Sequence, residues 1–169
     1  PTGRRAMAWA TFIATVVVGA AMAGLDVPLH TAACPNGIIS FELAYSEAAA
    51  RAMVASWSPQ VQLIAALGLG FDYLFLLCYT SAIGAVSVAL TTSWPRAARF
   101  SAGIAWAMWF AGLMDAVENA ALARLLIGSP GGPWALIAGV CASIKFALLA
   151  VGLCFMLTAL VRKGLTRGG

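Results

Sequence analysis

Charge is the first thing this sequence lacks. Asp, Glu, Lys and Arg make up only 9% of its 169 residues, 62% are hydrophobic, and the mean hydropathy is +0.92. A water-soluble domain carries about a quarter of its residues as charge, so lipid is the expected solvent for most of this chain. Histidine is almost missing as well. His30 stands alone, which argues against a haem or zinc centre built on imidazoles and against a carboxylate di-metal site of the Glu-x-x-His type. No metal and no cofactor is expected. The four cysteines, Cys34, Cys78, Cys141 and Cys154, contain no C-x-x-C pair, and three lie in apolar stretches. A disulfide framework or thiol redox chemistry is therefore not expected. No Walker loop, no G-x-G-x-x-G opening a helix after a strand and no G-x-S-x-G occurs. The net charge of +4 comes largely from Arg and Lys beside apolar runs, a placement that orients membrane proteins and does not suggest nucleic-acid binding.

What is present is length of apolar chain. About 20 such residues cross a hydrocarbon core of about 30 Å, and four segments qualify: 7–25, 59–90, 101–127 and 133–161. The first is read as a retained helix, since no A-x-A cleavage site with a polar continuation follows it. Ser58 before Pro59 reads as a cap followed by proline at the first helical position. Thr91, Thr92, Ser93, Trp94 and Pro95 end the second span and begin the third. Ser129, Pro130, Gly131, Gly132 and Pro133 form a tight turn that makes the third and fourth spans antiparallel. Spans two and four exceed the minimum length, so tilt or protruding ends are expected.

The basic residues set an orientation. Arg4 and Arg5 precede the first span, Arg96 and Arg99 separate the second from the third, and Arg162, Lys163 and Arg167 follow the fourth. All fall on one side of an even number of crossings, which predicts cytoplasmic termini. The expected location is a bacterial cytoplasmic membrane. Between spans one and two, residues 38–56 read as one amphipathic helix at the outer interface, with Glu47 and Arg51 as an i,i+4 pair. The expected fold is all-α: an integral-membrane four-helix bundle, one domain, with that interfacial helix added.

The informative residues are the charges inside the spans. At about 1.5 Å per residue, Asp72 comes about 20 Å after Pro59, Asp115 and Glu118 lie about 18 and 14 Å before Ile127, and Lys145 comes about 18 Å after Pro133. Four charges on three helices thus share one depth. Each costs at least about 2.5–3.5 kcal/mol in lipid, so each is expected to face inward. Ala111, Asp115, Glu118, Asn119 and Leu122 share one helical face; so do Gly68, Asp72, Phe75 and Tyr79; so do Ala138, Cys141, Ala142, Lys145, Leu149 and Gly152. The three faces are expected to meet, with small residues allowing close approach. Fully ionised, three acids against Lys145 would leave −2, a charge that calls for protons, a cation or water. Glu42 extends this set: it lies about 140° around its helix from Glu47, away from the surface ion pair and toward the bundle.

Three functions fit. In the first, Asp72, Tyr79, Asp115, Glu118, Asn119, Lys145 and Glu42 line a pocket that binds or transports a lipid-like or cationic small molecule. In the second, the chain is an accessory subunit of a membrane complex and the charges merely fix helix register. It would meet a protein partner or a second copy through the small-xxx-small face of span one, where Gly19 pairs with Ala23 and Ala20 with Gly24. In the third, the carboxyls perform acid–base chemistry on a hydrophobic substrate, as an isomerase would. Four-helix sterol-isomerase-like membrane proteins also place carboxylates in a pocket open to lipid; the resemblance is one of architecture, with no residues carried over. Trp9, Trp94 and Trp134 read as interfacial anchors, and Trp106 and Trp109 as lipid-facing or packing side chains.

Overall fold

A computed structural model describes residues 2–91, 94–128 and 132–165. Thr92, Ser93 and the turn residues Ser129, Pro130 and Gly131 lie outside the described residues, as do Arg167 and the side chains of Arg4, Arg5 and Arg96. The chain is all-α: α1 (Thr2–Asp26), a 3-10 turn (Val27–Leu29), α2 (Ile38–Glu42), α3 (Glu47–Ser56), α4 (Pro59–Thr91), α5 (Pro95–Leu126) and α6 (Trp134–Leu165). Among the described residues, four helices are long and apolar enough to cross a membrane. The cap expected at Ser58 forms, its Oγ accepting the Val61 N–H at 3.3 Å. α5 begins at Pro95, ahead of the expected start at 101, because proline is well placed at a first helical position.

Within the long helices, several hydroxyls turn back onto their own backbone. Thr80 donates to Leu76 O at 2.6 Å and Thr91 to Ser87 O at 3.0 Å, so these two side chains are satisfied within their own helix. α5 lies between α4 and α6, and α1 rests on the outer side of α4. Where α4 and α5 cross, a side chain at Gly112 would stand 2.9 Å from Thr80 Cγ2, so the small residue sets the helix separation. The usual distribution of polarity is inverted. Leu63, Val17, Trp106 and Val161 are exposed, whereas Asp115, Glu118, Asn119 and Lys145 are buried, the pattern a bundle in lipid requires.

The connection between α1 and α4 packs across the ends of α5 and α6. It carries two helices where one was expected over 38–56. The break falls at Tyr45, whose φ of 52° is left-handed and ends α-helical geometry. Ring packing opposes that strain: Tyr45 lies against Gly139 of α6, where an added Cβ would come within 2.6 Å of the ring, and its hydroxyl hydrogen-bonds Ser143. α3 restarts with its own cap, Ser46 Oγ accepting the Ala49 N–H at 3.2 Å. The Glu47–Arg51 pair forms on its exposed face. Because the connection is divided, α2 turns inward, burying Phe41 against Trp57 (ring centroids 5.3 Å apart) and burying Glu42.

Candidate functional site: a buried carboxylate–lysine core

Lys145 is the centre of the polar core. Its Nζ lies 2.9 Å from Glu118 Oε1, 3.0 Å from Asp115 Oδ1 and 3.7 Å from Glu42 Oε2. α6 supplies the lysine, α5 two of the acids, and α2 reaches in with the third. The Tyr79 hydroxyl of α4 donates to the other Asp115 oxygen, Oδ2, at 3.0 Å, so both oxygens of that carboxylate are held. Asp72 stands apart from the lysine. Its Oδ2 instead accepts from Asn119 Nδ2 at 2.9 Å, and Asn119 adjoins Glu118 on α5. The structure thus brings together all seven residues singled out from the sequence, as a five-member network on Lys145 and a neighbouring Asp72–Asn119 pair.

The anticipated faces meet with one division. On α5, Ala111, Asp115, Glu118, Asn119 and Leu122 are all buried, as are Ala138, Ala142 and Lys145 on α6. On α4, Asp72 and Tyr79 turn toward α5, while Phe75 lies under Gly19 of α1 and Gly68 faces a cleft beside α1. Depth also gains detail: α2 reaches the core from the connection, so the network lies nearer the end of the bundle where that connection sits. From the helix ends on that side, Asp72, Asp115, Glu118 and Lys145 are about 12–20 Å along their helices.

The core holds more acid than base. Glu42, Asp72, Asp115 and Glu118 face one ammonium, and full ionisation would leave −3. Lipid and apolar side chains do not solvate such a charge, so it calls for protons, a cation or water. Three buried oxygens in this core also lack a hydrogen-bond partner: Glu42 Oε2, Glu118 Oε2 and Asn119 Oδ1. All three are acceptors in the form described. Burial pushes the Glu42 carboxyl above its usual range, with Lys145 pulling the other way, and the side chains of Glu42 and Glu118 interact directly. A proton between two carboxyls so placed would satisfy both.

Other features were not visible in the pattern of spans. Asp26, at the end of α1, accepts the Ile38 N–H at 2.7 Å through Oδ1 and meets His30 Nε2 at 3.0 Å through Oδ2. His30 Nδ1 faces Pro35 O, also at 3.0 Å. The Asp26–His30 spacing of four was the available signal. Gly37, with φ of 55°, precedes Ile38, and a side chain there would collide with the Asp26 carboxylate. The buried Trp57 donates to Leu29 O at 2.9 Å, fixing the other end of the connection. Cys34 is buried, its thiol donating to Gly37 O at 2.9 Å, and burial pushes its pKa up; it is a packed thiol and not a reactive one. No metal-binding group of three or more His, Cys, Asp or Glu occurs among the described residues.

The chain has no significant match to any protein-family model, to any curated protein or to any solved structure.

Proposed function

We propose that the protein binds a cationic, hydrogen-bond-donating small molecule in the Lys145 core, either to hold it or to pass it across the membrane. One observation carries this reading: the core's surplus is of one kind. Its buried side-chain atoms without a hydrogen bond are acceptors, Glu42 Oε2, Glu118 Oε2 and Asn119 Oδ1, and its excess charge is negative. What completes such a site is a donor and a positive charge, supplied by protons when it is empty and by a ligand when it is filled. A purely structural fastener needs one acid for Lys145, and here three carboxylates surround it. The basic residues on the α4–α5 and terminal side support an orientation with the α1–α4 connection on the outer face of a bacterial cytoplasmic membrane, and in that orientation the ligand arrives from that face or from the lipid beside it.

Native mass spectrometry of protein extracted gently from its own membrane tests the reading. The expected result is a retained small molecule, lost from Asp115→Asn. A stable protein partner together with an empty core would replace the proposal with the accessory-subunit reading. Turnover of a neutral hydrophobic substrate that depends on the same carboxyls would replace it with intramembrane acid–base catalysis.

A further inference from the structure

Directly beneath α2, between α1 and α4, the structure holds a cleft of about 40 Å³. Met22 and Leu25 of α1 face Ile64 and Leu69 of α4 across it, and two carboxyls reach it, Glu42 from α2 and Asp72 from α4. Both acids are more than nine-tenths buried, and Glu42 Oε2 has no hydrogen-bond partner. Gly68 also lines the cleft, and no atom lies within 4 Å of where its Cβ would stand. A larger side chain at residue 68 would project into this open space.

We propose that this cleft is the lateral entrance to the charged core and admits a primary or secondary ammonium group carried on a single hydrocarbon chain. The ammonium lodges between Glu42 and Asp72, and the chain lies along the α1–α4 seam in lipid. The inference rests on the reading of the core as a cation site and adds the route and the ligand class.

Size, hydrogen bonding and helix packing each narrow the ligand. A volume of about 40 Å³ admits a water-sized group but falls far below the roughly 300–1,000 Å³ that enclose a drug-sized ligand. The headgroup alone enters, and the rest of the molecule stays outside. Next, Glu42 Oε2 lacks a donor, which an N–H of a primary or secondary ammonium provides and a quaternary ammonium cannot. Lys145 is committed to Asp115 and Glu118 at 2.9–3.0 Å, so a second ammonium beside Asp72 lowers the excess negative charge without displacing it. Finally, α1 packs chiefly on α4 and is the least buried of the four long helices, so the seam can widen without a third long helix having to move.

Dodecylammonium, dodecyltrimethylammonium and methylammonium are the probes, titrated against the full chain in nanodiscs with empty nanodiscs as the blank. Dodecylammonium is expected to bind, the trimethyl analogue about tenfold or more weakly for want of an N–H donor, and methylammonium weakly for want of the chain. Gly68→Leu, which fills the cleft and leaves both carboxyls in the sequence, is expected to weaken dodecylammonium about tenfold or more at unchanged helicity. Gly68→Ala, which has open space to occupy, gives a smaller loss in the same direction and covers the case in which the leucine variant does not fold. Dodecylammonium binding that falls in Glu42→Gln yet is untouched by both Gly68 substitutions would overturn the entrance and keep the core as a cation site. Equal binding of the primary and quaternary amines would overturn the ligand class. Absence of binding by any of the three would remove the core reading itself, and this inference with it.

Discussion

Asp26 Oδ1 accepts the backbone N–H of Ile38 at 2.7 Å, joining the end of α1 to the first residue of α2. Helix starts leave N–H groups without partners, and here a carboxylate twelve residues earlier in the chain satisfies one. The other end of the same short helix is Glu42, within 3.7 Å of Lys145. Asp26 is thus a positioning residue for a side chain it does not touch. Asp26→Ala is expected to cost about 0.5–2 kcal/mol, as the loss of a helix cap does. Hydrogen exchange checks it: amides 38–42 should exchange faster while α3, capped by Ser46, is unchanged. Uniform acceleration of both helices would count against the assignment.

Lys145→Met removes the one ammonium from among three carboxylates, and the expected loss is about 3–5 kcal/mol. Adding Asp115→Leu should recover only part of it, because Glu118 and Glu42 still lack a cation. A double-mutant cycle read by unfolding in micelles should therefore give coupling within about 0.5–3 kcal/mol. A double variant as stable as the parent would reduce the core to a simple pair that holds α5 to α6.

Glu42 gives the fold a pH dependence of definite sign. Its carboxyl is held above the ordinary range, chiefly by burial, so the folded protein keeps a proton that the unfolded chain has lost. That contribution is present below the usual glutamate value of about 4.3 and fades as pH rises through the higher folded value. Glu42→Gln carries the neutral form permanently and removes this slope. Melting temperatures measured from about pH 4 to 8 should show the variant gaining on the parent as pH rises. A constant gap between the two would mean that Glu42 does not titrate in this way.

The basic residues predict a topology that chemical labelling can read. Asn36 is exposed in the α1–α4 connection, whereas the native Cys34 beside it is buried. Asn36→Cys on intact cells should react with a membrane-impermeant maleimide, and a cysteine appended to the C-terminus should react only after the cells are opened. The reverse pattern would invert the orientation and move the proposed entrance to the cytoplasmic side.

Much of the architecture was legible because lipid imposes simple rules. Each crossing must satisfy its own backbone, so a span is an apolar helix of sufficient length and its punctuation is proline and cap residues, as at Ser58 and Pro59. An ionisable side chain at depth must turn inward, so the helical faces bearing Asp115, Glu118 and Lys145 could be identified from spacing alone. The α1–α4 connection was harder. Its alanine-rich stretch has the period of a single helix, and nothing local announces the left-handed Tyr45, which is held in place by Gly139 and Ser143 far along the chain.

By itself, then, the sequence determined how many helices are long enough to span, which faces of them are polar and that the core carries more acid than base. Period and composition encode those properties within one segment at a time. Only the tertiary structure decided which acids share Lys145, that Asp72 is held by Asn119 instead, and that Glu42 enters the bundle from a helix pinned by Asp26. Those pairings depend on the packing of α4, α5 and α6 and on the path of the connection across them, and the spacing within any one helix carries no record of its neighbours' rotation.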